Sequence, residues 1–279
     1  MFHKIALAIA FSPRMEALIC ESKRLKDLFN SELLLIHIGE KSQLEEGNLK
    51  TILEKHNIDL AKTKVVWETG KPVKKIIEIC EKEGVDLLVA GALKNEGFFK
   101  YYLGSIARKI IRKSKCSVLT LIEPSFDPNP FQKVVINGTQ QEQTPYVIAK
   151  GLEWCKLEQT KKVFIVNEIK MYGFQMATAG EGGGDEVSAT RKKLVAEEVI
   201  YVENILKHLD KGDLKVNIKI TCGKWAAELV RFSEDIKADL LIVGDEGNLG
   251  IFDRIFSHDL EDILGDLPCN LLIIKKYSV

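Results

Sequence analysis

The sequence predicts an α/β protein built from two duplicated, doubly wound open parallel-sheet domains with five strands each. Two observations predict this fold class. Strand-like and helix-like segments alternate along the chain, and one long segment occurs twice at a fixed spacing. Strands that alternate with helices form a parallel sheet with helices on both faces. A chain of 279 residues also has room for two domains of the common size.

Two nearly identical strand sequences reveal the duplication. The sequence DLLVAG occupies 86–91, and DLLIVG occupies 239–244, which is 153 positions later. The same offset separates two pairs of flanking residues, Gly70 from Gly223 and Cys116 from Cys269. Anchors that share one offset without a gap indicate an internal repeat, and so long a period means two domains rather than a solenoid.

Continuous apolar runs mark the strands, because strands of a parallel sheet are covered on both faces. Helical segments lie between them. The first has Ser12 as its predicted N-cap and Pro13 in its first turn, and the third ends at Gly84. In the first half we predict strands at 4–11, 32–38, 64–69, 86–91 and 116–122, and helices at 13–30, 49–58, 71–84 and 101–114.

The second half repeats this order after a proline-rich segment, 123–131, which we interpret as a linker. The predicted domains are therefore 1–124 and 131–279. The glycine-rich 171–191 is interpreted as a flexible loop, either a solvated insertion or a lid or partner-binding loop. We predict strands at 133–138, 162–169, 216–221, 239–244 and 270–275, and helices at 143–157, about 190–208, 224–235 and about 251–264.

Composition and charge exclude several classes of protein. The 40 basic residues balance the 40 acidic ones, so net charge gives no general attraction to nucleic acid or to an anionic membrane. No apolar run approaches the roughly 18 residues that cross a bilayer. None of the six cysteines is spaced as CxxC or lies near a histidine at metal-ligand spacing. This pattern predicts a reducing, cytoplasmic location and no metal site.

Candidate sites follow the two repeated strands, because open parallel sheets bind ligands at the carboxyl ends of their strands, where strand order reverses. In the first half, Gly91 ends the strand and permits close backbone approach. Gly104 and Ser105 begin the next helix, where unpaired N–H groups and a hydroxyl suit a phosphate. His37 ends a strand and faces either this cleft or the core. Trp67 is interpreted as packing.

This arrangement resembles the universal stress protein family in its tandem two-domain form, over nearly the whole chain. Nucleotide-binding members of that family carry G-x-x-G, nine residues, and then G-S or G-T. They also carry an aspartate at the end of the first strand that contacts adenine. The resemblance implies the Rossmann-like, adenine nucleotide alpha hydrolase-like fold and an adenine nucleotide, ATP first, as the ligand. It also implies that Ile38 and Asn167, which end the second strands, lie by the base.

The first domain keeps part of this motif. Gly91 matches the first glycine, and Gly104 with Ser105 matches the later pair. Lys94 replaces the second glycine, where it either fills the phosphate pocket or contacts a phosphate itself. Ala10 stands at the position of the aspartate.

The second domain keeps a different part. Gly244 and Gly247 match the first two glycines, whereas Ser257 and His258 replace Gly-Ser, and Asn137 stands at the aspartate position. His258 is interpreted either as a phosphate contact or as an exposed helix start. Neither domain has an intact motif, so an empty, retired site is the alternative for both.

Charge separates the two candidate sites. The segment 91–116 has seven basic residues and one acidic residue, whereas 244–269 has seven acidic residues and one basic residue. A polyphosphate would be attracted to the first segment and repelled by the second, so we expect a nucleotide in domain 1 and a degenerate site in domain 2. Family members pair through their last strands, which implies an internal pseudo-dimer and allows a homodimer. The asymmetry then either favours pairing of unlike halves or is drift on solvated faces.

The predicted function is that of a stress-response regulatory or binding protein with no catalytic residues. One alternative is a nucleotide-independent protein that binds partners, for example through 171–191. Another is an enzyme, either a weak ATPase or an adenylating relative on a similar fold. Adenylating relatives often have a glycine- and serine-rich loop after the first strand, and AIAFSPR lacks that richness.

Overall fold

The computed structural model describes residues 1–59, 63–95, 100–169, 184–245 and 258–276, with the backbone alone at 94–95, 100, 184–187 and 258–259. Spatial contacts divide the chain into two units. Unit 1 comprises Met1–Pro130 and Asn270–Val279, and unit 2 comprises Phe131–Cys269. The predicted boundary at 131 is therefore also a boundary between units, whereas the last strand lies with unit 1. The division into domains 1–124 and 131–279 stays a prediction about the duplicated segments.

Unit 1 is a parallel sheet flanked by helices. Its strands are β1 (Lys4–Ile9), β2 (Glu32–Ile38), β3 (Thr63–Glu68), β4 (Leu87–Gly91), β5 (Leu93–Asn95), β6 (Lys100–Tyr102) and β7 (Ser117–Leu121). Its helices are α1 (Met15–Phe29), α2 (Gln43–Lys55), α3 (Pro72–Glu83) and α4 (Ser105–Lys113). The parallel strands follow the order β3-β2-β1-β4-β7, and β5 and β6 form a separate antiparallel hairpin.

Unit 2 repeats the same order. Its strands are β8 (Lys133–Asn137), β9 (Lys162–Ile169), β10 (Val216–Cys222) and β11 (Leu240–Gly244), arranged as β10-β9-β8-β11 with every pair parallel. Its helices are α5 (Thr144–Leu157), α6 (Gly184–Lys207), α7 (Trp225–Asp235) and α8 (His258–Gly265). The predicted α/β class with mostly parallel sheets is therefore confirmed.

The last strand of the chain, β12 (Asn270–Ile274), runs antiparallel to β7 within unit 1. Leu272 lies opposite Leu119, and the Asn270 side chain accepts a hydrogen bond of 2.9 Å from the Ile122 amide. Lys275 follows the strand and is 8% exposed. Its Nζ donates to the Ile111 and Ser114 carbonyls, which belong to the end of α4. These bonds satisfy helix carbonyls that have no partner within the helix.

Several predicted helix limits are wrong, each for a local reason. The N-cap of α1 is Arg14 rather than Ser12, because a turn closes from the Met15 amide to the Ser12 carbonyl. Helix α2 starts earlier than predicted, at Gln43, because Ser42 is its N-cap: the Ser42 hydroxyl accepts from the Glu45 amide and donates to the Glu45 carboxylate.

Two further differences lie in segments rich in glycine. Residues 101–103 are not helical, because β6 pairs with β5 and Gly104 is the N-cap of α4. Residues 184–191 of the predicted loop belong to α6, since no glycine or proline follows Gly184 as far as Lys207. The rest of that loop, 170–183, and the first part of the last predicted helix, 251–257, lie outside the described residues.

Equivalent aspartates anchor both halves of the repeat. The Asp86 carboxylate accepts from the His3 amide at 2.7 Å and the Lys4 amide at 3.1 Å. The Asp239 carboxylate accepts from the amides of residues 132 and 133 at 2.7 and 2.8 Å. Each carboxylate therefore holds the start of the first strand beside the start of the fourth. This shared function explains why the repeated sequence begins with aspartate.

A second equivalent pair lies where the helix before the fourth strand ends. Gly84 and Lys237 both adopt left-handed backbone, with φ of 65° and 52°. We expect Lys237→Gly to raise the free energy of unfolding by about 0.5 kcal/mol. A non-glycine residue in the left-handed conformation costs about 1–2 kcal/mol, which glycine avoids. Glycine also has more conformational entropy in the unfolded chain, and this offsets part of the stabilisation. Urea denaturation measures the change.

The matched control for Lys237→Gly is Gly84→Lys, which places a side chain into the same left-handed conformation. It should lower the free energy of unfolding by a similar amount. If both variants destabilised the protein equally, the equivalence of the two positions would be contradicted.

Candidate ligand site at the carboxyl ends of the unit 1 strands

The strand order of unit 1 reverses between β1 and β4, and ligands of open parallel sheets bind outside the carboxyl ends at such a point. Ala10 follows β1 and is exposed. Ile38 ends β2 and Gly91 ends β4, and both are half-buried. The sheet therefore places these predicted site residues at the carboxyl ends of its strands. Ile38 lies on the β2 side of the reversal and Gly91 lies on the β4 side.

Three rings form an aromatic cluster at the ends of β1, β2 and β3. The centroids of Phe11 and His37 are 5.0 Å apart, those of Phe11 and Trp67 are 5.8 Å apart, and those of His37 and Trp67 are 4.8 Å apart. These spacings are those of favourable aromatic pairs. All three side chains are half-buried, so each contributes part of its surface to the sheet edge. We call Phe11, His37 and Trp67 the aromatic cluster.

His37 is held in this cluster by the backbone. Its Nδ1 lies 3.2 Å from the Ile9 carbonyl, which can only accept, so Nδ1 carries a proton. A side chain at Gly39 would overlap His37 Nε2, so glycine at that position leaves room for the ring. His37 is half-buried at the carboxyl end of β2, so its ring lies between the core and the surface. Trp67 packs, as predicted, but it packs at the site.

Arg14 supplies a fixed positive charge on the other side of the reversal. Its guanidinium donates to the carbonyl of Ala92, which follows β4, and to the carbonyl of Ile122, which follows β7. Nearby, the Tyr101 hydroxyl donates to the Glu123 carboxylate. Burial, with Glu123 as the second cause, raises the pKa of Tyr101 to about 12. Arg14 was not among the residues predicted from the sequence, although its basic side chain follows the first strand and Pro13.

The two motif glycines of unit 1 are sites of close packing. A Cβ on Gly91 would lie 3.2 Å from Leu18 Cδ1 of α1, and a Cβ on Gly104 would lie 2.8 Å from Leu93 Cδ1. Gly91 therefore lets α1 approach β4, and Gly104 lets the β5–β6 hairpin approach the start of α4. Close packing therefore explains why both positions are glycine, independently of any ligand.

The remaining unit 1 residues of the motif flank this packing. Lys94 lies in β5 opposite Tyr101, and only its backbone is described. Ser105 is the first residue of α4 and is exposed. The hydroxyl predicted to meet a phosphate is therefore open to solvent, at a helix start where backbone N–H groups have no partner within the helix.

At the equivalent carboxyl ends of the unit 2 strands, polar side chains form hydrogen bonds with one another. The buried Asn137 accepts from the Thr139 amide at 3.1 Å and from its hydroxyl at 2.7 Å. The buried Asn167 donates to Glu198 at 2.6 Å, and Gln140 donates to the same carboxylate oxygen at 3.0 Å. Glu198 therefore places a carboxylate where the resemblance implies a base.

The glycines of the second motif are less informative. A Cβ on Gly244 would lie 2.7 Å from Val147 Cγ2, so this glycine lets α5 approach the end of β11. Gly247 and Ser257 lie outside the described residues, and only the backbone of His258 is described, as the first residue of α8.

The described part of the chain contains neither a membrane-spanning helix nor a metal-binding cluster. The helices described there include none with the length and apolarity that a bilayer span requires. Among the same residues, no cluster of three or more His, Cys, Asp or Glu side chains has a geometry that could hold a metal ion.

Part of unit 1 matches a known protein family. Residues 38–121 match the model of the Universal stress protein family. Universal stress protein MJ0531 of Methanocaldococcus jannaschii is 36% identical over 55 residues, which are 20% of this chain and 32% of that protein. Universal stress protein MJ0577 of the same organism is 23% identical over 154 residues, which are 43% of this chain and 95% of that protein. The chain thus spans about a third of the first relative's length and nearly all of the second.

Solved structures extend the similarity to the whole chain. A protein of unknown function, PA1789 from Pseudomonas aeruginosa, superposes with a TM-score of 0.74 at 13% identity, covering 99% of this chain and 93% of its own. A universal stress protein from Archaeoglobus fulgidus superposes with a TM-score of 0.64 at 17% identity, covering 99% and 98%. These superpositions establish the shared adenine nucleotide alpha hydrolase-like fold. Residues 38–121 therefore match the universal stress protein family, and the chain shares the fold of a solved member over nearly its whole length.

Proposed function

We propose that the chain is a regulatory binding protein whose unit 1 takes an adenine nucleotide, ATP first, at the carboxyl ends of its strands. One observation carries the proposal. At the carboxyl ends of the strands, aromatic rings lie on one side of the strand reversal and a positive charge lies on the other. The aromatic cluster lies at the ends of β1, β2 and β3, and Arg14 lies at the ends of β4 and β7. A ligand with a planar ring joined to phosphates matches this division.

The aromatic cluster is suited to the base. Ala10 lacks the carboxylate that contacts adenine in nucleotide-binding members, so recognition in this chain has to come from ring faces and apolar surface. Stacking of a base on an aromatic side chain contributes about 1–3 kcal/mol. The half-buried Trp67 offers the largest ring and is anchored by its contacts with Phe11 and His37.

Arg14 and the start of α4 are suited to the phosphates. A guanidinium has five N–H donors, and the Ala92 and Ile122 carbonyls take two of them. The first turn of α4 adds backbone N–H groups and the exposed Ser105 hydroxyl. On the far end of this helix, Arg112 and Lys113 are exposed and keep the local potential positive.

Unit 2 is proposed to leave its own site empty. The amides of Asn137 and Asn167 are already bonded within the protein, and Glu198 adds a negative charge beside them. A polyphosphate would meet repulsion there as well as competition for the amide groups. The expected stoichiometry is therefore one nucleotide for each chain.

Calorimetry with ATP and magnesium, with adenosine as a second ligand, tests the proposal. We expect ATP to bind with one site and Trp67→Leu to weaken binding about tenfold, because the leucine removes a stacking face. Trp225→Leu is the matched control, since Trp225 is also half-buried but lies in unit 2. Equal weakening by both variants, or no effect of Trp67→Leu, would contradict a base site at the aromatic cluster.

We propose binding without turnover. Phosphate release from ATP should stay at the level of a buffer blank. Release above that level, abolished in Ser105→Ala, would instead establish the weak ATPase alternative.

The distribution of cysteines is in keeping with a reducing compartment, since all six are free thiols and five are buried, and the cytoplasm is therefore the proposed location.

A nucleotide-independent partner-binding protein is the second candidate. One observation favours it: Leu93 is 50% exposed and Ile106 is 49% exposed, and both lie beside the Gly104 turn. Exposed apolar side chains at one place on a surface are suited to a protein partner. Calorimetry that detects no binding of ATP or adenosine would leave this candidate.

A further inference from the structure

A second group of reactive side chains lies in unit 1, between α1 and the end of α2. Cys20 and Glu16 are on α1, and His56 is the C-cap of α2. Cys20 Sγ lies 3.4 Å from His56 Nδ1, and His56 Nε2 lies 2.7 Å from Glu16 Oε1. A thiol, an imidazole and a carboxylate therefore follow one another within hydrogen-bond reach. None of the three belongs to the candidate ligand site.

The carboxylate determines which nitrogen of His56 carries the proton. Lys55 Nζ lies 2.7 Å from the same Glu16 oxygen. Hydrogen bonds from Lys55 and then from His56 lower the pKa of Glu16, so this carboxyl is ionised and can only accept. His56 Nε2 must donate to it. In the neutral ring, Nδ1 is then the acceptor, and it faces the Cys20 thiol.

The thiol is protonated at rest. Burial, followed by the charge of Glu16, raises the pKa of Cys20. Thiolates are the reactive form of cysteine, so a buried thiol of this kind is inert unless a base removes its proton during the reaction. His56 Nδ1 is placed to do this, and Glu16 is placed to stabilise the imidazolium that results. The order nucleophile, base and orienting carboxylate is the arrangement that activates nucleophiles in enzymes.

We propose that Cys20 is a peroxide-reactive modification site, with His56 as its base and Glu16 as the residue that orients His56. The sulfur attacks the terminal, hydrogen-bearing oxygen of a hydroperoxide, an S–O bond forms, and the O–O bond breaks. The thiol proton passes to His56 Nδ1 and from there to the departing oxygen, so that an alkoxide leaves as an alcohol and, when the reagent is hydrogen peroxide, hydroxide leaves as water. Cys20 is oxidised to the sulfenic acid, and the peroxide is reduced.

Burial favours a small oxidant at this site. Cys20 is 5% exposed, and the side chains of His56 and Glu16 are 19% and 23% exposed. Cys222, at the end of β10, is the exposed cysteine of the chain. A bulky reagent should therefore prefer Cys222, whereas hydrogen peroxide can reach both. A difference in selectivity between the two reagents is part of what the proposal expects.

The test uses the full chain carrying Cys222→Ser, treated with limiting hydrogen peroxide and then with a sulfenic-acid trap, and analysed by mass spectrometry. We expect the trap to label Cys20 first. Labelling of Cys20 should be at least tenfold slower in His56→Gln, because a positioned base accelerates a reaction about 10²- to 10⁴-fold. Lys50→Gln is the matched control. It removes a positive charge from an exposed position of α2, where Lys50 pairs with Glu54, and leaves every partner of Glu16 in place, so its rate should stay within about twofold of the parent's.

Two internal references guard against reaction through unfolding. Cys80 in unit 1 and Cys155 in unit 2 are buried and lack this histidine contact. If Cys20 were trapped no faster than Cys80 and Cys155, or if His56→Gln reacted as fast as the parent, the proposal would be overturned. Melting curves of each variant establish that the fold is kept. Slower trapping in His56→Gln with an unchanged melting temperature supports the proposal.

Discussion

Replacing Asp86 with asparagine is expected to lower the free energy of unfolding by about 3 kcal/mol, because hydrogen bonds to a charged group contribute about 1.5–3 kcal/mol each. The carboxylate accepts from the His3 and Lys4 amides, which begin β1. An asparagine amide has one oxygen and one NH₂ group, so it would turn a donor toward one of these two N–H groups. Urea denaturation followed by circular dichroism measures the loss.

Asp239→Asn should produce a loss of the same size, since Asp239 makes the equivalent pair of bonds in unit 2. The matched control is Asp213→Asn, an identical change at an exposed position outside the strands. A surface substitution of this kind changes stability by about 0.5 kcal/mol or less. If Asp86→Asn were as mild as Asp213→Asn, the two aspartates could not be the anchors of the repeated strands.

Replacing Arg14 with leucine is expected to raise the dissociation constant for ATP about 10- to 100-fold and to leave that for adenosine unchanged. The guanidinium lies at the ends of β4 and β7, where the proposal places the phosphates. A charge-assisted hydrogen bond to a phosphate contributes about 1.5–3 kcal/mol to binding. Adenosine has no phosphate and cannot make this bond, so its affinity should not change. Calorimetry with both ligands separates the two effects.

Lys113→Leu is the control for Arg14→Leu, because it removes the same charge from an exposed position at the end of α4. It should weaken ATP binding only slightly, and less at higher ionic strength. Arg14 also joins the ends of two strands, so the melting temperature of each variant has to be measured. Equal weakening of ATP and adenosine by Arg14→Leu would mean that Arg14 supports the fold and not the phosphates.

The alternation of segments predicted most of the fold because each strand of a parallel sheet is apolar over its whole length. Residues 33–36 of β2 are all at most 2% exposed, as a strand covered on both faces requires. The β5–β6 hairpin was not predictable in this way. Its strands have three residues each, too short for a periodic pattern, and the neighbouring helical pattern concealed them.

The candidate site was harder to predict, because it depends on residues from several strands. The sheet register places His37 opposite Ile9 and Trp67 opposite His37, and thereby gathers the aromatic cluster. No local pattern in the sequence contains that register. The motif glycines were found by their spacing, but the structure gives Gly91 and Gly104 a packing function that spacing alone does not reveal. The role of Asp86 was also hidden, although its repeat was the clearest feature of the sequence.

The most direct test of a nucleotide site in unit 1 is nuclear magnetic resonance of the chain with isotope-labelled tryptophan, titrated with ATP and magnesium. The three indole signals can be assigned by replacing each tryptophan with phenylalanine. We predict that the Trp67 signal shifts and saturates, while those of Trp154 and Trp225 in unit 2 stay in place. A titration that leaves Trp67 unmoved, or that shifts Trp225 instead, would contradict the proposed site.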